Sequence, residues 1–73
     1  MLFRSQRSAR KEAARLERRL ETLAAREKTL HEQMVEAATD PDRLLTLDGE
    51  LRAVGAERES IELEWLAAAE AAE

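Results

Sequence analysis

Apolar residues recur along this chain at alternating steps of three and four, in two runs separated by a single break. The first run reads Ala9, Ala13, Leu16, Leu20, Leu23, Glu27, Leu30, Met34, Ala37. The second reads Leu44, Leu47, Leu51, Val54, Arg58, Ile61, Trp65, Ala68, Ala72. Each is the a/d seam of a coiled coil. Between them lies Thr39-Asp40-Pro41-Asp42, and the pattern predicts an all-α fold: an antiparallel two-helix coiled-coil hairpin.

The boundaries follow from local chemistry. Residues 1–7 are expected to form a flexible segment or linker, and residues 8–73 the hairpin. Ser5 and Ser8 both suit an N-cap, because a serine oxygen accepts the free N–H groups of a first helical turn. From there to residue 38 there is neither Gly nor Pro, which predicts a first helix over about 8–38, a rod of roughly 45 Å at ~1.5 Å per residue. Residues 39–40 form the turn. Asp40 suits the N-cap of the second helix and Pro41 its first position, where a missing N–H costs nothing. The residue before a proline resists helical geometry, which stops the first helix. The second helix is expected over about 41–70, with a fraying Ala/Glu tail. Gly49 and Gly55 each cost it up to ~1 kcal/mol relative to Ala, and Gly55 either allows a close backbone approach or is merely tolerated.

An antiparallel seam pairs residues whose numbers total about 81: Met34 with Leu47, Leu30 with Leu51, Leu20 with Ile61, and Leu16 with Trp65. Two seam positions are charged. Glu27 and Arg58 fall about one turn apart on opposite helices and are expected to reach each other across the seam.

Composition changes this picture little, but charge changes it. Seventy-three residues make one small domain, and the absence of cysteine removes disulfides and the usual zinc sites. No apolar run approaches the ~20 residues that span a bilayer, and the chain reads as cytoplasmic with no membrane partner. Residues 1–28 carry nine Lys/Arg against four Glu, whereas residues 29–73 carry three Arg against twelve Asp/Glu. Antiparallel pairing sets the basic start of the first helix beside the acidic end of the second. Each sign opposes its own helix dipole, so part of the asymmetry is accounted for by mutual attraction of the two ends.

Catalytic signatures are missing. There is no G-x-x-x-x-G-K-S/T, no G-x-G-x-x-G and no H-E-x-x-H, so no catalytic, cofactor-binding or metal-binding residue is assigned and this chain is not expected to be an enzyme. His31, the single histidine, reads as a structural residue on a helix flank. Trp65 reads as a seam anchor. The candidate site is instead a basic stripe: Arg7, Lys11, Arg15 and Arg18, with Arg4 before them, recur at outer heptad positions that face away from the second helix. Arg19 and Arg26 lie at g positions and serve the pairing. A one-sided cationic stripe on a stiff helix attracts a phosphate backbone, which predicts nucleic-acid binding with steep salt dependence. A plain solvated face is the competing reading of the same stripe. No aromatic residue interleaves with it, so base stacking and sequence readout are not expected.

Several segments together resemble a known family. They are Arg10-Lys11-Glu12 through Leu16-Glu17-Arg18-Arg19-Leu20, Arg26-Glu27 with Leu30-His31, the Ala38-Thr39-Asp40 turn, Leu47-Asp48-x-Glu50-Leu51, and Glu64-Trp65-Leu66. In this order and spacing the chain resembles the C-terminal coiled-coil hairpin of the F subfamily of ATP-binding-cassette proteins (ABC-F), over about residues 8–70. Met1-Leu2-Phe3-Arg4-Ser5 departs from that pattern. The resemblance implies a parent ATPase with two cassettes upstream, which would hold ATP and Mg; this chain has no position matching the cassette motifs. It also implies action on ribosomes or translation, and a hairpin that binds DNA or ribosomal or transfer RNA. The alternative is a protein-interaction hairpin. It would dock on its own ATPase cassettes or a ribosomal protein, or pair with a second copy in a four-helix bundle, a reading favoured by an expected Glu-rich outer face on the second helix.

Overall fold

A computed structural model describes the backbone of residues 2–73 and the side-chain surroundings of residues 6–73. Two helices, α1 (Leu2–Glu36) and α2 (Pro41–Ala72), pack side by side along their length as a rod of 58 × 15 × 11 Å. The hairpin expected from the 3/4 spacing is the fold observed.

α1 begins at Leu2, six residues before the expected start, so Ser5 and Ser8 lie within the helix rather than at its first turn's cap position. Residues 2–8 contain no Gly or Pro, and adding one more turn to an established helix costs far less than starting one. α1 ends at Glu36, two residues earlier than expected. Its last turn tightens: the Ala38 N–H donates to the Val35 carbonyl at 3.3 Å, three residues back, and the Asp40 N–H donates to the Ala37 carbonyl at 2.8 Å. No residue here adopts a positive φ, so the stop is the work of Asp40-Pro41 rather than of a left-handed cap.

Asp40 caps α2 as its sequence position demands. Its backbone is extended (φ −116°, ψ 93°), and its Oδ1 accepts from the Arg43 N–H at 3.2 Å. Pro41 and Asp42 occupy the first turn. At the far end helix continues through Ala72, two residues beyond the expected end, since alanine has the highest helix propensity of any residue.

The core is a thin line. Leu16, Leu23, Leu30 and Ala37, four successive d positions of α1, are buried, joined by Leu47 from α2. Met34, Leu44, Leu51 and Val54 pack around Leu30, Ala37 and Leu47 next to the turn. The other seam residues, Trp65 included, are half-buried, because in a two-helix coil only e and g side chains shield the seam edges. Arg19 with Glu57 and Arg26 with Glu50 bridge one flank, and Glu27 with Arg58 crosses the seam, so that the expected register lies between them.

Gly55 does not mark a close approach. A Cβ added there, or at Gly49, meets nothing within 4 Å.

Candidate nucleic-acid interface

The four site residues sit on the first half of α1. Arg7, Lys11, Arg15 and Arg18 are all exposed, at outer heptad positions turned from α2. From Arg7 to Arg18 the row spans roughly 16 Å at ~1.5 Å per residue. Arg4 continues it in the sequence, but its side chain lies outside the described residues.

The row is not uniform. Arg15 is held by Glu12 on its own helix: its Nε–H donates to Glu12 Oε2 at 3.1 Å, and its Nη2 meets Oε1. That hydrogen bond from Arg15 keeps the Glu12 carboxyl below the usual carboxylate range, and the same bond pushes the guanidinium up. Arg15 therefore brings a compensated charge to the surface, its partner lying on its own helix rather than on α2. Arg7, Lys11 and Arg18 form no ion pair among the described residues.

Among the described residues none of the three pairs with the acidic tail of α2. Cross-helix ion pairs occupy the middle of the rod, where Arg19 Nε donates to Glu57 Oε2 at 2.8 Å and Arg26 Nη2 lies 3.5 Å from Glu50 Oε2. Arg19 and Arg26 thus serve pairing, as their g positions imply. At the open end the one cross-helix hydrogen bond among the described residues runs from Gln6 Nε2 to the Glu73 main-chain oxygen at 3.1 Å. Among the described residues no ion pair joins the basic start to the acidic end, so the attraction between them acts there through space.

Glu27 and Arg58 meet as the register requires. Arg58 Nε stands 2.8 Å from Glu27 Oε1, and its Nη1 donates to Glu62 Oε1 at 2.8 Å. The Nε–H is not aligned on the Glu27 carboxylate, so that contact is mainly charge on charge. The hydrogen bond to Glu62, then the Glu27 charge, raise the Arg58 guanidinium further.

The other singled-out residues behave structurally. His31 is exposed and in no ion pair among the described residues. Trp65 anchors the seam near its open end, with its indole N–H buried and without a hydrogen-bond partner. Among the described residues no group of three or more His, Asp or Glu stands close enough to hold a metal ion, and no helix is long and apolar enough to cross a membrane.

The outer face of α2 is not the Glu-rich surface expected. Its glutamates lie mainly at flank positions, Glu50, Glu57 and Glu64 on one side and Glu62 on the other, while the outward rows are largely uncharged. Assigning b, c and f positions along the second run would have found this; summing charge over the helix hid it.

No protein-family model, curated protein or solved structure matches the chain.

Proposed function

We propose that this hairpin is a nucleic-acid-contacting accessory domain, an arm of an ABC-F type ATP-binding protein whose cassettes lie upstream. What carries the binding part of the reading is the exposure of Arg7, Lys11 and Arg18 on one helix face, without ion pairs among the described residues. Three mobile cations on a stiff rod meet phosphates without ordering a loop, and each contact releases a counterion. Arg15 adds a weaker fourth contact, because a phosphate must compete with Glu12 for it. The mechanism is electrostatic and indifferent to base sequence, so DNA, ribosomal RNA and transfer RNA are all chemically acceptable. The ABC-F parent rests on the sequence resemblance. In such a parent, ATP with Mg belongs to the cassettes, and their closure would move the arm.

The test is fluorescence anisotropy with labelled duplex DNA, single-stranded DNA and structured RNA. It compares the native chain with a variant carrying Arg7→Glu, Lys11→Glu and Arg18→Glu, at ~50 and ~200 mM salt, where phosphate contacts lose affinity steeply. The reading expects salt-sensitive binding by the native chain and none by the variant, with circular dichroism showing equal helicity. A folded native hairpin that binds no probe at low salt makes the stripe a solvated face.

A further inference from the structure

The outward face of α2 has no role in the single hairpin, yet it is built unlike a solvated face. Between Leu45 and Glu70 its b, c and f positions number twelve, all exposed, and only Arg52, Glu59 and Glu70 among them are charged. Leu45 and Leu63 are 72% and 70% exposed, and Leu66 is 50% exposed. Gly49 lies in the same face. A Cβ there meets open space, so packing within the hairpin gives no reason for a residue that costs a helix interior up to ~1 kcal/mol. Small residues on one face let a second helix come close.

We propose that this face binds the same face of a second copy of this chain, antiparallel, with the two α2 helices at the centre of a four-helix assembly. The argument is charge and size complementarity under a two-fold axis, which requires every pairing to be reciprocated. The b row reads Leu45, Arg52, Glu59, Leu66, one residue per heptad. Laid antiparallel on its own copy, Arg52 faces Glu59 and Leu45 faces Leu66, and each pairing returns on the other side of the axis. Within the hairpin, the flank pairs Arg19–Glu57 and Arg26–Glu50 hold a fixed offset from the seam. The same offset makes the c and f rows the new seam. It sets Gly49 against Ala67, Ala53 against Leu63, and Ala56 against Ser60 of the second copy.

The charges are available for this. Glu59 forms no ion pair among the described residues. Among the described residues Arg52 has one partner, Asp48 on its own helix, and its side chain is 82% exposed, so it can turn outward. The opposite flank holds Glu50, Glu57 and Glu64, of which the first two are already compensated by Arg26 and Arg19. The basic stripe of α1 points away from α2 and stays free, so dimerisation and phosphate binding stand or fall separately.

Sedimentation equilibrium of the chain from about 10 μM to about 1 mM tests the proposal, the upper limit being the weakest affinity of interest. The native chain is expected to dimerise within this range. Arg52→Glu or Glu59→Arg alone sets like charges together twice in each dimer and weakens it about tenfold. An equimolar mixture of those two variants pairs opposite charges at both sites and recovers native strength. Leu63→Lys, with unchanged helicity by circular dichroism, abolishes the dimer. A native chain that stays monomeric to about 1 mM overturns the proposal and leaves the face to another protein. So does a dimer indifferent to Leu63→Lys, or a mixture of the two charge variants that recovers nothing.

Discussion

Glu27 and Arg58 are the one place where the seam trades apolar packing for charge. Their side chains keep 22% and 35% of their surface exposed, so water still reaches both. An ion pair in such a place adds little net stability, but a slip of one heptad would part the two charges and strand each against leucine or isoleucine. Arg58→Leu should therefore leave the melting temperature unchanged or raised, because Glu27 remains hydrated from the seam edge. Replacing both by Leu should raise it by several degrees while loosening the register. Thermal melts followed by circular dichroism decide this, and a large loss from Arg58→Leu contradicts the account. Gly55 offers a second residue-scale check. With open space where its Cβ would sit, Gly55→Ala should stabilise the hairpin by about 0.5–1 kcal/mol in urea unfolding. Trp65 gives a third. Its buried indole N–H has no partner, so Trp65→Phe drops an unsatisfied donor while keeping a ring on the seam, and should cost less than about 1 kcal/mol.

At the scale of the element, the two helices are specified by different means. α2 has an explicit start: Asp40 bonds the Arg43 N–H, and Pro41 is already in helical φ. Asp40→Ala should cost about 1 kcal/mol, read as a lower urea midpoint. α1 has no such signal, and its start is correspondingly the boundary that sequence reasoning missed. Serine caps are modest preferences, and Leu2 to Arg7 contains no residue that opposes propagation. The seam of both helices was legible because a period of 3.5 fixes which residues meet; the contact of Glu27 with Arg58 follows from it, and Met34 and Leu51 do pack in the cluster that holds Leu47 and Leu30. Pairing within a turn was not legible in that way. Glu12 lies three residues before Arg15, a spacing that permits a bond without requiring it, and the observed bond takes one cation out of the stripe. Glu12→Gln should release it and steepen the salt dependence of nucleic-acid binding by up to about one phosphate contact. Because the Glu12 carboxyl is held below its ordinary range, its attraction to Arg15 is fully present above the ordinary carboxylate value. It is lost only as pH falls through the depressed one, so Arg15 stays tethered at neutral pH.

For the whole molecule, charge is sorted by place along a rod. Ion pairs cross the middle, a leucine cluster sits at the turn, and the open end carries a cationic face on α1 and a tail of carboxylates on α2. Net charge of −4 conceals this division. The rod has one thin line of buried residues, and its two outer faces differ: cationic on the first half of α1, largely uncharged on α2. The first was visible in the sequence as a 3/4 recurrence of Lys and Arg. The second was obscured, because its apolar residues are mixed with small ones and its flanks are acidic. The measurement that bears most directly on the central claim is the slope of log affinity against log salt concentration for duplex DNA. Three free cations plus a tethered Arg15 predict a slope of about −3, at ~0.9 per phosphate contact, falling to near zero in the Arg7→Glu, Lys11→Glu, Arg18→Glu variant. A native slope near zero, or a slope that the variant retains, would contradict the assignment of this face to phosphate.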